Sequence, residues 1–115
     1  MYGFDKTRRL LTRGEYDHVF KHAIKLKNHD FTLLFCKNNL EKARLGLVLS
    51  KKTINKAHDR NYVKRLLRES FRLHGDLPPV DVIVLARPAI NQSKPCRIKL
   101  NLDKLWNTLS IQPVS

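Results

Sequence analysis

Residues 44–72 read RLGLVLSKKTINKAHDRNYVKRLLRESFR, and residues 82–86 read VIVLA. In the first seven positions Leu45, Leu47 and Leu49 alternate with Arg44, Gly46, Val48 and Ser50, the period-two signature of a strand. A long helix is predicted from near Asn55 to just before Gly75, a residue that can take the left-handed conformation at a helix end, with Pro78 and Pro79 beyond it. VIVLA is a continuous β-rich run, which suits a strand covered on both faces. Strand, basic helix and buried strand follow one another, and the remaining elements must pack around that unit.

Working toward the N-terminus, Thr12-Arg13-Gly14-Glu15 fits a capping box, with Leu11 before the cap and Tyr16 placed as a hydrophobic staple. The first helix should run from about Arg13 to Lys21, with Tyr16, Val19 and Phe20 on one face. Ile24 and Leu26 then alternate with Lys25 and Lys27, and Phe31, Leu33 and Phe35 with Thr32, Leu34 and Cys36, giving two more strands. The polar stretch 37–42 reads as a hairpin connection into the strand at 44–50. Toward the C-terminus a helix is predicted from Ser93 as cap, carrying the stripe Ile98, Leu102, Leu105, Trp106 and Leu109. The order is αβββαβα, an α+β domain with helices layered on a four-stranded sheet.

The chain of 115 residues carries 23 Lys plus Arg against 10 Asp plus Glu, a formal net charge of +13. That length suits one domain over 1–115 with an ordered core of about 10–109 and a frayed tail at 110–115. Its apolar runs are far too short to span a bilayer, no secretory-type apolar segment opens it, and Cys36 and Cys96 form no CxxC pair, so free thiols in a reducing cytoplasm are expected. A surface this basic selects polyanionic partners.

The excess is concentrated in residues 51–72, which hold eight basic and two acidic side chains. On a helical projection Val63, Leu66, Leu67, Ser70 and Phe71 share one side, and Asn61, Arg65, Arg68 and Arg72 lie opposite. Lys56, Arg60, Lys64, Arg68 and Arg72 form an i, i+4 row in which every member is basic, and only Glu69, four after Arg65, offers an opposite charge at that spacing. Like charges at i, i+4 destabilise a helix by a few tenths of a kcal/mol per pair, so such a row points to a polyanion rather than to a merely solvated face. With Lys56, Asp59 and Arg60 at the core-facing angles, the first turns are expected to project past the core.

The runs Gly46–Lys52 and Ala57–Arg72 closely resemble the signature of the bacterial ribonuclease P protein subunit family, and the likeness extends to Tyr16 and Phe20, Phe31, the VIVLARP strand ending and Leu105-Trp106. The resemblance implies a noncatalytic protein that binds the catalytic RNA of ribonuclease P and the 5′ leader of precursor tRNA, while Mg²⁺ held mainly by the RNA serves the hydrolysis. It also implies a left-handed strand–helix–strand crossover, as in a ribosomal protein domain, against the usual right-handed rule. By that likeness Arg60, Asn61, Lys64, Arg65 and Arg68 contact the catalytic RNA. Tyr16, Phe20, Thr32, Leu34, Lys51 and Lys52 would take the leader, in a cleft between the first helix and the sheet. Tyr62 stands where the family has Arg and is not carried over, and Leu34 stands where an aromatic is common. Phe20 fits either the cleft or the core. His18 and His22, four apart, read as surface histidines rather than a metal site, and no protein ligand for Mg²⁺, protein partner or membrane contact is implied. The rival readings are a basic module of another ribonucleoprotein, ribosomal in type, and a protein ribonuclease using His and Lys.

Overall fold

The computed structural model describes residues 9–38, 40, 42–74 and 77–111. Its elements are α1 (Arg13–His22), β1 (Ile24–Lys27), β2 (Phe31–Lys37), β3 (Arg44–Val48), α2 (Ala57–Leu73), β4 (Val80–Ala86), a short 3-10 helix (Pro88–Gln92) and α3 (Pro95–Ser110). The predicted α+β order holds, with the 3-10 turn as an addition. The capping box forms as read: the Glu15 amide donates to Thr12 Oγ1 at 3.2 Å, and Glu15 Oε1 accepts from the Thr12 and Leu11 amides at 2.9 and 2.7 Å. Leu11 is exposed, however, and the buried residue ahead of the cap is Leu10.

The sheet order is β1-β2-β4-β3. Here the predicted hairpin fails: β2 and β3 do not pair, because β4 enters between them, antiparallel to β2 and parallel to β3. A strand apolar at nearly every position must be flanked and covered, so Val80–Ala86 takes the centre and the connection after β2 becomes a crossing over it. Asn38 holds that crossing, its Nδ2 donating to the Lys42 carbonyl at 2.9 Å and to Asp81 Oδ1 at 3.0 Å. Asn39, Glu41, Gly75 and 112–115 lie outside the described residues, so the helix stop expected at Gly75 and most of the expected tail do too. The last helix begins at Pro95 rather than beside Ser93, whose hydroxyl bonds elsewhere.

One sheet face carries Phe31, Leu33, Phe35, Leu45, Val82 and Val84 into the main core, where α2 supplies Val63, Leu67 and Phe71 and α3 supplies its whole predicted stripe. Trp106 donates its indole N–H to Ser70 Oγ at 2.7 Å and sets its ring edge-on to Phe71. The other face has a smaller core of Leu10, Val19, Cys36 and Ile83 beneath α1.

Two buried polar clusters tie these layers together. Arg44 donates from Nε and Nη2 to both oxygens of Asp81, at 2.8 and 2.7 Å, and from Nη1 to Glu15 Oε2 at 2.6 Å, so the carboxylate that caps α1 also anchors it to the sheet. The capping amides of Thr12 and Leu11, with Arg44, hold the Glu15 carboxyl below its ordinary range. Asp30, fully buried in the turn before β2, accepts from Ser93 Oγ at 2.5 Å, Asn101 Nδ2 at 2.8 Å and, at 2.8 Å, His29 Nδ1. Burial pushes its pKa up, but the hydrogen bonds from Ser93, Asn101 and His29 outweigh that and leave it lowered.

Candidate nucleic-acid interface

On α2 the projection is reproduced: Asn61, Arg65, Arg68 and Arg72 are exposed, while Val63, Leu67 and Phe71 are buried. Among the described residues no acidic group pairs with any basic side chain of this helix, and Glu69 forms no ion pair with Arg65. Two members of the i, i+4 basic row do not stand free in solvent. Arg60 folds back, its Nη1 donating to the Ile54 and Asn55 carbonyls at 2.9 and 3.1 Å, so it fastens the turn after β3 to the start of α2. Lys64 is partly buried and faces the N-terminal segment rather than open solvent. Tyr62 is half-buried against the main core and, with Ile54, Ile90 and Ile98, lines a pocket of about 230 Å³. Its ring is thereby engaged in packing, away from the Arg65 and Arg68 face.

The second candidate surface is the part of the sheet that α1 leaves open. Pairing aligns Lys27, Thr32, Leu85 and Val48 in one row across the four strands, and Lys25, Leu34, Ile83 and Gly46 in the next. Ile83 is buried, whereas Thr32, Leu34, Leu85 and Val48 are all partly accessible. Val19 supplies the anchor of α1, with no exposed surface, and Phe20 stands 49% exposed beside it, so Phe20 is outside the core. Tyr16 lies flat over β3: a Cβ at Gly46 would stand 2.8–2.9 Å from its ring, and its hydroxyl accepts from the Leu47 amide at 3.3 Å. Gly46 is thus required by close approach, a role that its place in the alternating pattern conceals. Lys51 and Lys52 are exposed on the turn after β3, which Ser50 closes by accepting from the Thr53 and Ile54 amides.

The structure therefore brings Tyr16, Thr32 and Leu34 to one sheet face, with Phe20 on the helix crossing it, and sets Arg65 and Arg68 on a separate ridge. Lys25, Lys27, Val48 and Leu85 share the sheet face and were not singled out from sequence. The alternation in IKLK marks the two lysines only as the face away from the main core, and strand register alone sets them beside Thr32 and Leu34. His18 and His22 lie with ring centroids 4.6 Å apart, tilted at 46°, on the exposed side of α1, and among the described residues no group of three or more His, Cys, Asp or Glu converges to hold a metal. Cys36 is buried, and that burial raises its thiol pKa, while Cys96 is exposed; both are free.

The sequence profile of the family described as Ribonuclease P matches residues 4–110. The chain belongs to the ribonuclease P protein family. It is 52% identical over 110 residues to a ribonuclease P protein component of Legionella pneumophila (strain Lens), covering 96% of each chain. Its identity to the corresponding component of Thioalkalivibrio sulfidiphilus is 45% over 109 residues, covering 94% of this chain and 91% of that one. Among solved structures, the RNase P protein of Staphylococcus aureus superposes with a TM-score of 0.82 at 27% identity, covering 92% of this chain and 97% of that chain. The RNase P protein of Thermotoga maritima does so at 0.75 and 33%, covering 91% and 97%. The single α+β domain with a four-stranded mixed sheet is thus the architecture of ribonuclease P proteins. No described helix is long and apolar enough to cross a membrane.

Proposed function

We propose that the chain is the noncatalytic protein subunit of ribonuclease P, acting in the cytoplasm to help the catalytic RNA remove the 5′ leader from precursor tRNA. The observation that carries this reading is the division of the surface into two unlike parts. One is an unpaired cationic helix ridge, and the other is a mixed apolar, aromatic and lysine face on the sheet. A ridge of Arg65 and Arg68 with Asn61, flanked by Arg60 and Lys64, suits the densely charged backbone of a folded RNA. Arg60 keeps Nε and Nη2 free of hydrogen bonds among the described residues, so it can hold its turn and still meet a phosphate. The leader is single-stranded, and Phe20, Tyr16, Thr32 and Leu34 offer it stacking and apolar contact, with Lys51 and Lys52 neutralising its phosphates. Lys25 and Lys27 join that set on register. Mg²⁺ and the phosphodiester hydrolysis are assigned to the RNA partner.

Reconstitution tests this directly. At low Mg²⁺, precursor tRNA should be cleaved at the mature 5′ end by catalytic RNA plus protein, weakly by the RNA alone and not by the protein alone. Assembly should weaken steeply with salt, with a log–log slope near −4 or steeper if about five phosphates are neutralised. Cleavage by protein alone would sink the proposal, and so would indifference of the RNA to the protein.

Phe20→Ala separates the two surfaces. Because the ring is half exposed, the variant should lose far less than the roughly 3–5 kcal/mol of a buried Phe truncation. It should nonetheless narrow the affinity gap between precursor and mature tRNA, since stacking on an unpaired base is worth ~1–3 kcal/mol. Thermal melting and holoenzyme affinity for the two tRNAs check both halves, and an unchanged gap in a folded variant would remove Phe20 from the leader path.

A further inference from the structure

A groove of about 310 Å³ separates the two surfaces, running between the segment ahead of α1, the edge strand β3 and the middle of α2. Its cations are Arg9, Lys64 and Arg68, its polar tip is Tyr16, and no acidic side chain lines it among the described residues. Two of these groups, Arg9 and Tyr16, are positioned by the fold itself. Arg9 bridges to Leu45 in parallel fashion, and the next amide, Leu10, donates to the Leu45 carbonyl at 2.9 Å. Tyr16 is laid down by Gly46, and Lys64 and Arg68 lie one helical turn apart. Yet the buried Arg9 Nε has no hydrogen-bond partner among the described residues, while the side chain lines the groove. Buried donors are almost always paired, those on charged groups above all, and a guanidinium fork matches a tetrahedral oxyanion.

We infer that this groove seats one phosphodiester of the catalytic RNA, with Arg9 supplying the missing bond and Lys64 and Arg68 balancing the charge. This rests on the functional reading above and adds to it a residue, Arg9, from outside α2. The catalytic RNA is favoured over the leader because two of the three cations belong to the α2 row. A phosphate held there would lie beside the Tyr16 hydroxyl, making Tyr16 the joint between the docking ridge and the leader face.

The test uses inorganic phosphate as probe on the free, full-length protein at low ionic strength, read by amide chemical shifts, followed by catalytic RNA. Saturable shifts should centre on Arg9, Leu10, Tyr16, Lys64 and Arg68, and Arg9→Gln and Lys64→Gln should each weaken them several-fold, while Lys99→Gln on α3 leaves them unchanged. For the RNA, Arg9→Gln should lower affinity by roughly tenfold and make the salt slope shallower by about 0.9, without altering the ratio of precursor to mature tRNA affinity. If Arg9→Gln melts early, Lys64→Gln decides, since its side chain makes no hydrogen bond or ion pair among the described residues. Phosphate binding equal in wild type and variants would overturn the inference, as would a loss confined to the precursor ratio, which would reassign the phosphate to the leader. Phosphate bound in the groove of a protein that ignores the catalytic RNA would overturn the functional reading and the named partner, leaving a bare anion site.

Discussion

Replacing Arg65 and Arg68 together with Ala should weaken binding to the catalytic RNA by roughly a hundredfold and leave the melting temperature nearly unchanged. A hydrogen bond to a charged group contributes about 1.5–3 kcal/mol, so losing one at each position gives at least ~3 kcal/mol, and 1.4 kcal/mol is a factor of ten. Neither arginine holds the folded chain together, since both are exposed and make no ion pair among the described residues. Removing Arg68 also relieves its i, i+4 repulsion with Lys64 and Arg72, a few tenths of a kcal/mol in favour of the helix. The log–log salt slope should become shallower by nearly two, because two fewer phosphates are neutralised. Arg60→Ala should behave differently, losing RNA affinity and some stability at once, because it also releases the Ile54 and Asn55 carbonyls. Filter binding across salt with parallel thermal melts distinguishes the cases, and a double variant that binds like wild type would remove this face from the interface.

The largest expected loss of stability is at Asp30. Asp30→Ala should lower stability by roughly 3 kcal/mol, because it strands the Asn101 amide and the Ser93 hydroxyl, each a donor left without its acceptor at about 1–3 kcal/mol. For a domain of this size that is a fall in melting temperature of more than about 10 °C. The same carboxylate makes the fold acid-sensitive. Both Asp30 and Glu15 have folded pKa values below their ordinary 3.8 and 4.5, so the folded state binds fewer protons than the unfolded one in that window. Their contribution is complete above the ordinary values and is lost as pH falls through the lowered ones. Melts should therefore be flat with respect to these two groups above about pH 5 and fall steadily below it, and less steeply in Asp30→Ala. An Asp30→Ala protein melting with wild type at neutral pH would show that the cluster does not hold α3 to the sheet.

What could be read in advance followed periodicity. The capping box, the alternating strands, the stripe on α3 and the polar side of α2 each depend on residues a few positions apart, and all appear as expected. What failed depended on distant pairing. Nothing in residues 37–42 says that a strand forty positions later will separate β2 from β3, and only the unbroken apolar run 82–86 hinted that this strand would be central. The buried clusters were illegible for the same reason. Asp30 and Asp81 stand alone in sequence, and their partners Asn101 and Arg44 are 71 and 37 positions away. At the candidate interface, residue types marked the ridge but not its geometry: Arg60 turns back to cap a loop, Lys64 faces a groove, and Arg9 comes beside that groove only through its bridge to Leu45.

The central position of β4 also bears on how the protein is made. A ribosome releases the chain from its N-terminus, and β2 and β3 emerge with their apolar residues in place but with no strand to join them until residue 86 is free of the exit tunnel. Until then the nascent chain holds two unmatched apolar edges and a basic helix whose packing face has no complete sheet to rest on. Folding of the sheet must therefore wait until β4 has emerged, and a chain cut after Pro79 should show no cooperative unfolding transition. A chain whose translation stops before residue 80 therefore lacks the one strand that joins both halves of its sheet.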